Sequence, residues 1–187
     1  MSEPTAGFQL IASGRGAFSD AEMKALVEHC NANAGEGVLS GGLQSDSYRR
    51  SSVAWASRDD GFEWLYERLA TLARGVNAQF FGFDIDGIES AAQIARYDAE
   101  TAGTYDWHTD FGIGSPRRKL SISVQLTDGA DYDGGDLEFD VSSEATKAGR
   151  ERGIVVAFPS FVRHRVAPVT RGTRYSLVAW ISGPRWR

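Results

Sequence analysis

Two stretches of this 187-residue chain, 119–126 and 173–182, alternate in side-chain type along their whole length, and that restricts the fold more than any other feature. In the first, Leu120, Ile122, Val124 and Leu126 fall on one face, and Ser121, Ser123 and Gln125 on the other. In the second, Tyr175, Leu177, Ala179 and Ile181 alternate with Arg174, Ser176, Val178 and Trp180. Side chains two apart on a strand share a face, so each stretch must lie between an apolar layer and a more polar space. From residue 91 onward, strand-forming stretches recur between turn signals at 92–98, 119–126, 135–140, 153–158, 162–167 and 173–182. A series of this kind points to a β-sandwich or barrel. Asp133-Gly134-Gly135-Asp136 and Arg171-Gly172-Thr173 offer glycine where tight turns need positive φ.

The first half supplies the cover for that sheet. Ser19 followed by Glu22 makes a capping box, Phe18 and Met23 stand at staple spacing, and Met23, Leu26, Val27 and Cys30 form one helical stripe. That helix frays over 31–35, and His29 lies off the stripe, facing solvent. The Gly- and Ser-rich residues 35–47 have no period and read as a loop, either a functional lid or simply disordered. A short strand follows over 51–56. A second helix is predicted over 60–77, capped by Asp60 with Glu63, with Leu65, Leu69, Leu72 and Val76 buried. Residues 80–85 read as a strand. Laid on the apolar face of the sheet, the two helices leave its polar face lining an interior, into which Arg174 and Ser176 point. His164 shares a face with Val162 and Val166, and Gln93 points together with Tyr97.

Within that interior, one set of residues has the makings of a metal site. His108-Thr109-Asp110 places two ligand types two apart, so both project to the same side of an extended strand end. His164 can return as a third ligand from a neighbouring strand. Two His and one carboxylate form the ligand set of non-haem Fe(II) oxygenases, which leave the opposite positions open. Arg174 carries a planar fork able to clamp a carboxylate bidentately. A metal with a clamped dicarboxylate suggests 2-oxoglutarate. Each residue alone has a plainer explanation: a surface H-x-D step, a core histidine with its hydrogen bonds satisfied, a surface arginine. Together, with consistent facing, they favour the metal reading.

Other chemistries find less support. Asp131, Asp133 and Asp136 lack the spacing and terminal Glu of a calcium loop and read as a hairpin turn. No nucleophile elbow or phosphate loop is present. With 20 basic against 25 acidic residues the net charge is −5, which disfavours nucleic acid as a partner. Cys30 is the sole cysteine, consistent with a reducing compartment and inert packing. The N-terminus lacks an apolar signal core and no stretch is long enough to span a membrane, so a cytoplasmic protein is expected. Oligomeric state is not readable.

From Gln93 to Trp180 the chain resembles the Fe(II)/2-oxoglutarate oxygenase superfamily, in particular its prolyl and lysyl hydroxylase-like (PKHD-type) branch. The resemblance is carried by Arg96-Tyr97, Trp107-His108-Thr109-Asp110 and Lys119-Leu120-Ser121-Ile122-Ser123. It continues through Asp131-Tyr132-Asp133-Gly134-Gly135-Asp136-Leu137, Phe158-Pro159-Ser160, His164, Val166 and 168–174. It implies a mainly β (α+β) fold, a double-stranded β-helix or jelly roll with the N-terminal helices packed on one sheet. The whole chain, 1–187, would be one oxygenase domain, with a helical part to about residue 90 and a jelly-roll core from about 91. It further implies Fe(II) on His108, Asp110 and His164, and 2-oxoglutarate on Arg174, with Tyr97 and, less centrally, Ser176 as further contacts. The resemblance also implies O₂ as the oxidant and ascorbate as an external reductant. Because Asp110 is present, the halide-binding variant, which vacates that position, is disfavoured. Trp107, Arg117, Arg118 and Gln93 are candidate substrate contacts, with 35–47 as a lid, although a solvated loop explains the rim equally well. The expected activity is a dioxygenase hydroxylating a prolyl or other amino-acid C–H, with peptidyl proline or a small molecule as substrate. A non-catalytic jelly-roll binding module is the alternative from another class.

Overall fold

The computed structural model describes residues 10–37 and 48–186. In chain order the first part holds β1 (Ala12–Gly14), α1 (Asp20–Asn33), β2 (Gly35–Glu36), β3 (Arg49–Arg50), β4 (Ser52–Ala56), α2 (Glu63–Val76) and β5 (Gly87–Ile88). Strands β6 (Ala92–Asp98), β7 (Thr104–His108), β8 (Arg118–Gln125), β9 (Asp133–Gly134) and β10 (Leu137–Phe139) follow. The chain closes with β11 (Thr146–Lys147), β12 (Val155–Pro159), β13 (His164–Val166), β14 (Val169–Arg171) and β15 (Thr173–Ser182). An eight-stranded major sheet runs β1-β12-β8-β15-β6-β4-β2, with β5 also on β15, and faces a five-stranded minor sheet, β11-β10-β13-β7-β3. Beside them β14 and β9 form a two-stranded ribbon. The expected lid at 35–47 lies outside the described residues, apart from Gly35–Glu36 in β2 and Gly37.

Alternation in β8 and β15 produces two unlike faces. Leu120, Ile122, Val124, Leu177, Ala179 and Ile181 are all buried in one apolar cluster with Met23, Leu26 and Cys30 of α1 and Leu65 and Leu69 of α2. Ser19 caps α1 through the expected box with Glu22. The second helix starts later than its sequence suggests. Asp60 closes a box with Ser57 around a 3-10 turn, Arg58–Asp60, and α2 begins at Glu63 without a side-chain cap. Its buried stripe is Leu65, Tyr66, Leu69 and Ala73, with Leu72 and Val76 only half-buried.

Residues 80–85 do not form the predicted strand. After α2 the chain continues as a wide helical turn, Asn77–Phe81, which ends on Gly82 in the left-handed region at φ 64°. Asn77 fastens the exit by donating from Nδ2 to the Phe83 carbonyl at 2.8 Å and accepting from Phe83 N at 2.9 Å. The aromatic residues that suggested a strand instead stack on one another, Phe81 on Phe83 at 6.0 Å. Likewise the acidic stretch around Asp133 is no local hairpin turn. It is β9, which pairs with the distant β14, and Arg171 binds Asp133 at 2.7 Å.

Register then brings distant residues together. On the major sheet, Arg174 of β15 lies opposite Tyr97 of β6, Val178 opposite Gln93, and Trp180 opposite Ser121 of β8. On the minor sheet, His164 lies directly opposite His108.

Candidate active site

β7 ends at His108, Asp110 follows its turn residue, and β13 opens with His164. Asp110 Oδ1 stands 3.8 Å from His108 Nε2, and Oδ2 stands 3.6 Å from His164 Nε2. One ligand atom from each residue lies within 4.8 Å of the others. Both rings are oriented from behind: His108 Nδ1 bonds the Asp106 carbonyl at 2.7 Å, and His164 Nδ1 bonds the Val162 carbonyl at 3.0 Å. A carbonyl only accepts, so Nδ1 carries the hydrogen in each ring, and Nε2 is the atom turned toward Asp110. Burial, reinforced by the neighbouring His164, pushes the pKa of His108 down to about 4, which keeps that ring neutral.

Asp110 is anchored as firmly. Ser121 donates to Oδ2 at 2.6 Å and is itself 3.0 Å from Ser160 Oγ. The amides of Asp110 and Phe111 both donate to the Ser160 carbonyl, at 3.0 and 2.9 Å. Burial opposes ionisation of the carboxyl, but the facing His164 and His108 and the Ser121 hydroxyl outweigh it and hold its pKa below the usual range. The result is two imidazole Nε2 atoms and a carboxylate held toward its ionised form converging on one point, a donor set that fits a divalent transition metal.

Behind the triad, a cavity of about 40 Å³ reaches Arg174, Tyr97, Ser176 and Gln93 between the apolar walls of Leu137, Phe158, Val166 and Val178. Arg174 is 2% exposed. Its Nη1 donates to Ser176 Oγ at 3.4 Å, its guanidinium carbon lies 5.6 Å from the Tyr97 ring, and its buried Nε has no partner among the described residues. A buried cation in that state is costly unless an anion completes it. Gly135 makes room for it, since a Cβ there would meet Val169 Cγ2 at 2.9 Å and Arg174 Cδ at 3.2 Å.

On the other side of Asp110 the site opens into a cleft of about 450 Å³, lined by Gln93, Tyr105, Arg118, Trp180, Trp55 and Arg49 among others. Two expected substrate contacts lie elsewhere. Trp107, next to His108 in β7, points away from it and sits between the guanidinium groups of Arg163 and Arg165, at 5.3 and 4.7 Å. Arg117 is held at the sheet edge by Asp86, Glu89 and the Gly183 carbonyl; its neighbour Arg118 reaches the cleft. Gln93 is placed as expected, between both cavities.

Sequence reasoning missed Tyr105, whose ring stacks on His108 at 3.6 Å and 15°. Strict alternation puts residues 105 and 108 on opposite faces. The register between β7 and β13 shifts, however: Val166 faces Tyr105 while His164 faces His108, so three steps along β7 match two along β13. That bulge turns Tyr105 onto the ligand face. Burial raises its phenol to about 12, so it stays protonated. Ser121 was legible as inward-facing, but its bond to Asp110 was not.

Residues 92–182 match the family described as the 2OG-Fe(II) oxygenase superfamily. A PKHD-type hydroxylase of Synechococcus sp. (strain CC9311) is 42% identical over 83 residues, which cover 44% of this chain and 38% of that relative. The matched part is thus well under half of the relative's length. Among solved structures, a Pseudomonas putida prolyl-4-hydroxylase superposes with a TM-score of 0.75 at 19% identity, covering 94% of this chain and 93% of the other. A Trichoplax adhaerens prolyl hydroxylase, in complex with a hypoxia inducible factor peptide fragment, superposes with a TM-score of 0.78 at 16% identity, covering 92% and 83%. At these identities the likeness establishes the jelly-roll fold.

Proposed function

We propose that the chain, whose residues 92–182 match the 2OG-Fe(II) oxygenase superfamily, is an Fe(II)- and 2-oxoglutarate-dependent dioxygenase of that superfamily. It hydroxylates a prolyl or other amino-acid C–H and releases succinate and CO₂. One observation carries this reading: a converging His-Asp-His set shares its cavity with a buried guanidinium whose Nε has no partner among the described residues. A pure binding module needs neither feature.

His108, Asp110 and His164 would hold the iron. Held there, iron would supply O₂ activation coupled to decarboxylation of 2-oxoglutarate, with ascorbate as an outside reductant. Arg174 takes the distal carboxylate of the co-substrate through a bidentate, charge-assisted contact, and Ser176 and the Tyr97 ring fix the angle of that guanidinium. Leu137, Phe158, Val166 and Val178 keep water out and place few oxidisable groups nearby. Ser121 holds one carboxylate oxygen of Asp110 and so its orientation. The prolyl assignment leans on the two neighbours named as prolyl hydroxylases, one of them with a peptide. The helical part and the jelly roll share one core, which supports treating 1–187 as a single domain. Among the described residues no helix is long and apolar enough to cross a membrane, and Cys30 is a buried free thiol, in keeping with a reducing cytoplasmic setting.

The test is Fe(II)-dependent conversion of 2-oxoglutarate to succinate under O₂, with and without prolyl peptides. Turnover that needs all three components supports the enzyme. A folded protein that binds neither metal nor 2-oxoglutarate would be the binding module.

A further inference from the structure

The cleft outside the triad has walls of two kinds. Trp55 and Ile113, two of the large hydrophobic side chains left exposed, line it together with Phe111 and Trp180. Among the described residues its cations are Arg49 and Arg118, and its one carboxylate is Asp110, already engaged by Ser121 and facing the imidazoles. Arg118 lies with its guanidinium carbon 3.9 Å over the Trp180 ring and donates from Nη1 to the Asp110 carbonyl at 3.3 Å. Both contacts orient this guanidinium without neutralising it, and among the described residues it forms no ion pair.

Charge balance sharpens the point. With a divalent metal and a dicarboxylate in place, the metal and Arg174 offset Asp110 and the two carboxylates. Arg118 then remains as surplus positive charge at the mouth. We propose that the cleft takes an amphipathic carboxylate: its carboxylate pairs with Arg118, and its apolar body rests on Trp55, Trp180 and Ile113. Arg49, from the minor sheet, lies over the Tyr105 ring at 4.5 Å and bounds the far side of the cleft. A planar guanidinium already stacked on an indole is pre-ordered for a two-point contact. A neutral substrate would cover it with nothing in exchange. Such a carboxylate could be a small apolar acid or the C-terminus of a peptide ending in an apolar residue. The inference rests on the proposed function, whose metal and co-substrate set the charge balance.

The experiment uses the full chain loaded anaerobically with Mn(II) and 2-oxoglutarate. It is titrated with 1-naphthoate and 1-naphthamide, which share a shape and differ in charge. A second pair is N-acetyl-prolyl-phenylalanine as free acid and as C-terminal amide. The acid of at least one pair is expected to bind about tenfold or more tightly than its amide, as a charge-assisted pair of hydrogen bonds provides. Arg118→Gln should erase that ratio, and Arg118→Lys should restore part of it, because charge survives without the fork. The naphthyl and dipeptide arms separate a small acid from a chain terminus. Equal binding of acid and amide in both pairs, binding of neither, or a preference that survives Arg118→Gln overturns the proposal. Failure of Mn(II) and 2-oxoglutarate to load overturns the proposed function and this inference with it, and is recognised before any probe is added.

Discussion

Strands β8 and β15 carry two regions of the molecule back to back. Toward the helices, Leu120, Ile122, Val124, Leu177, Ala179 and Ile181 join a large cluster in which every residue is one of many equivalents. Toward the minor sheet, Ser121, Arg174 and Ser176 each make a few directed contacts. The first region is held by summed burial and is robust in kind: any aliphatic of similar volume serves. In the second, each contact is a specific bond, and no neighbour can replace it. Stability should therefore follow the helix face and ligand binding the cavity face.

His108→Ala and His164→Ala should break the cavity face most severely. Each is expected to abolish stoichiometric iron binding and succinate formation, while the melting transition shifts only as an ordinary single change does. Metal content and thermal melts on the same samples check this. A variant that unfolds, but whose residual folded fraction turns over normally, would return that histidine to a core role.

Leu177→Ala tests the other face. Removing a fully buried Leu should cost about 2–5 kcal/mol in denaturant unfolding. Iron and 2-oxoglutarate affinity per folded molecule should hardly move. Loss of affinity in step with stability would mean that the two faces are not separable.

A smaller effect comes from pH. The folded pKa of His108 lies near 4, below its unfolded value near 6.5, so between those values the unfolded chain binds the extra proton. This contribution to stability is complete above pH 6.5 and is lost as pH falls toward 4. Metal-free protein should therefore melt several degrees lower at pH 4.5 than at pH 7, and His108→Ala should lose part of that dependence. An unchanged dependence in the variant would assign the effect to other groups. Smallest of all, Trp107→Phe and Arg117→Gln should leave turnover near wild type, because both side chains lie outside the two cavities.

What the sequence revealed divides along the same line. Period-two alternation made the packing face and the inward direction of Arg174, Ser176 and Gln93 legible, because burial acts on side-chain type. The H-x-D step and His164 were legible because metal chemistry needs few residue types. Tyr105 was hidden by a bulge, which the local sequence does not announce. Trp107 precedes His108 on β7, so alternation turns its side chain away from the ligand face. Arg49 reaches the cleft from a strand far away in sequence, so only the register of β3 on β7 brings it there. Residues 80–85 had strand-like aromatics, but Asn77 and Gly82 close a turn that propensity alone does not weigh.

The central claim, that the cavity face is built for iron and a clamped dicarboxylate, meets its most direct test in an anaerobic titration of 2-oxoglutarate into Fe(II)-loaded protein. Wild type should develop the weak visible charge-transfer band of the chelate. Arg174→Ala should keep its iron but need on the order of a hundredfold more 2-oxoglutarate for the same band, with Arg174→Lys between the two. No band in wild type, or one reached at equal 2-oxoglutarate concentration in all three proteins, would contradict the claim.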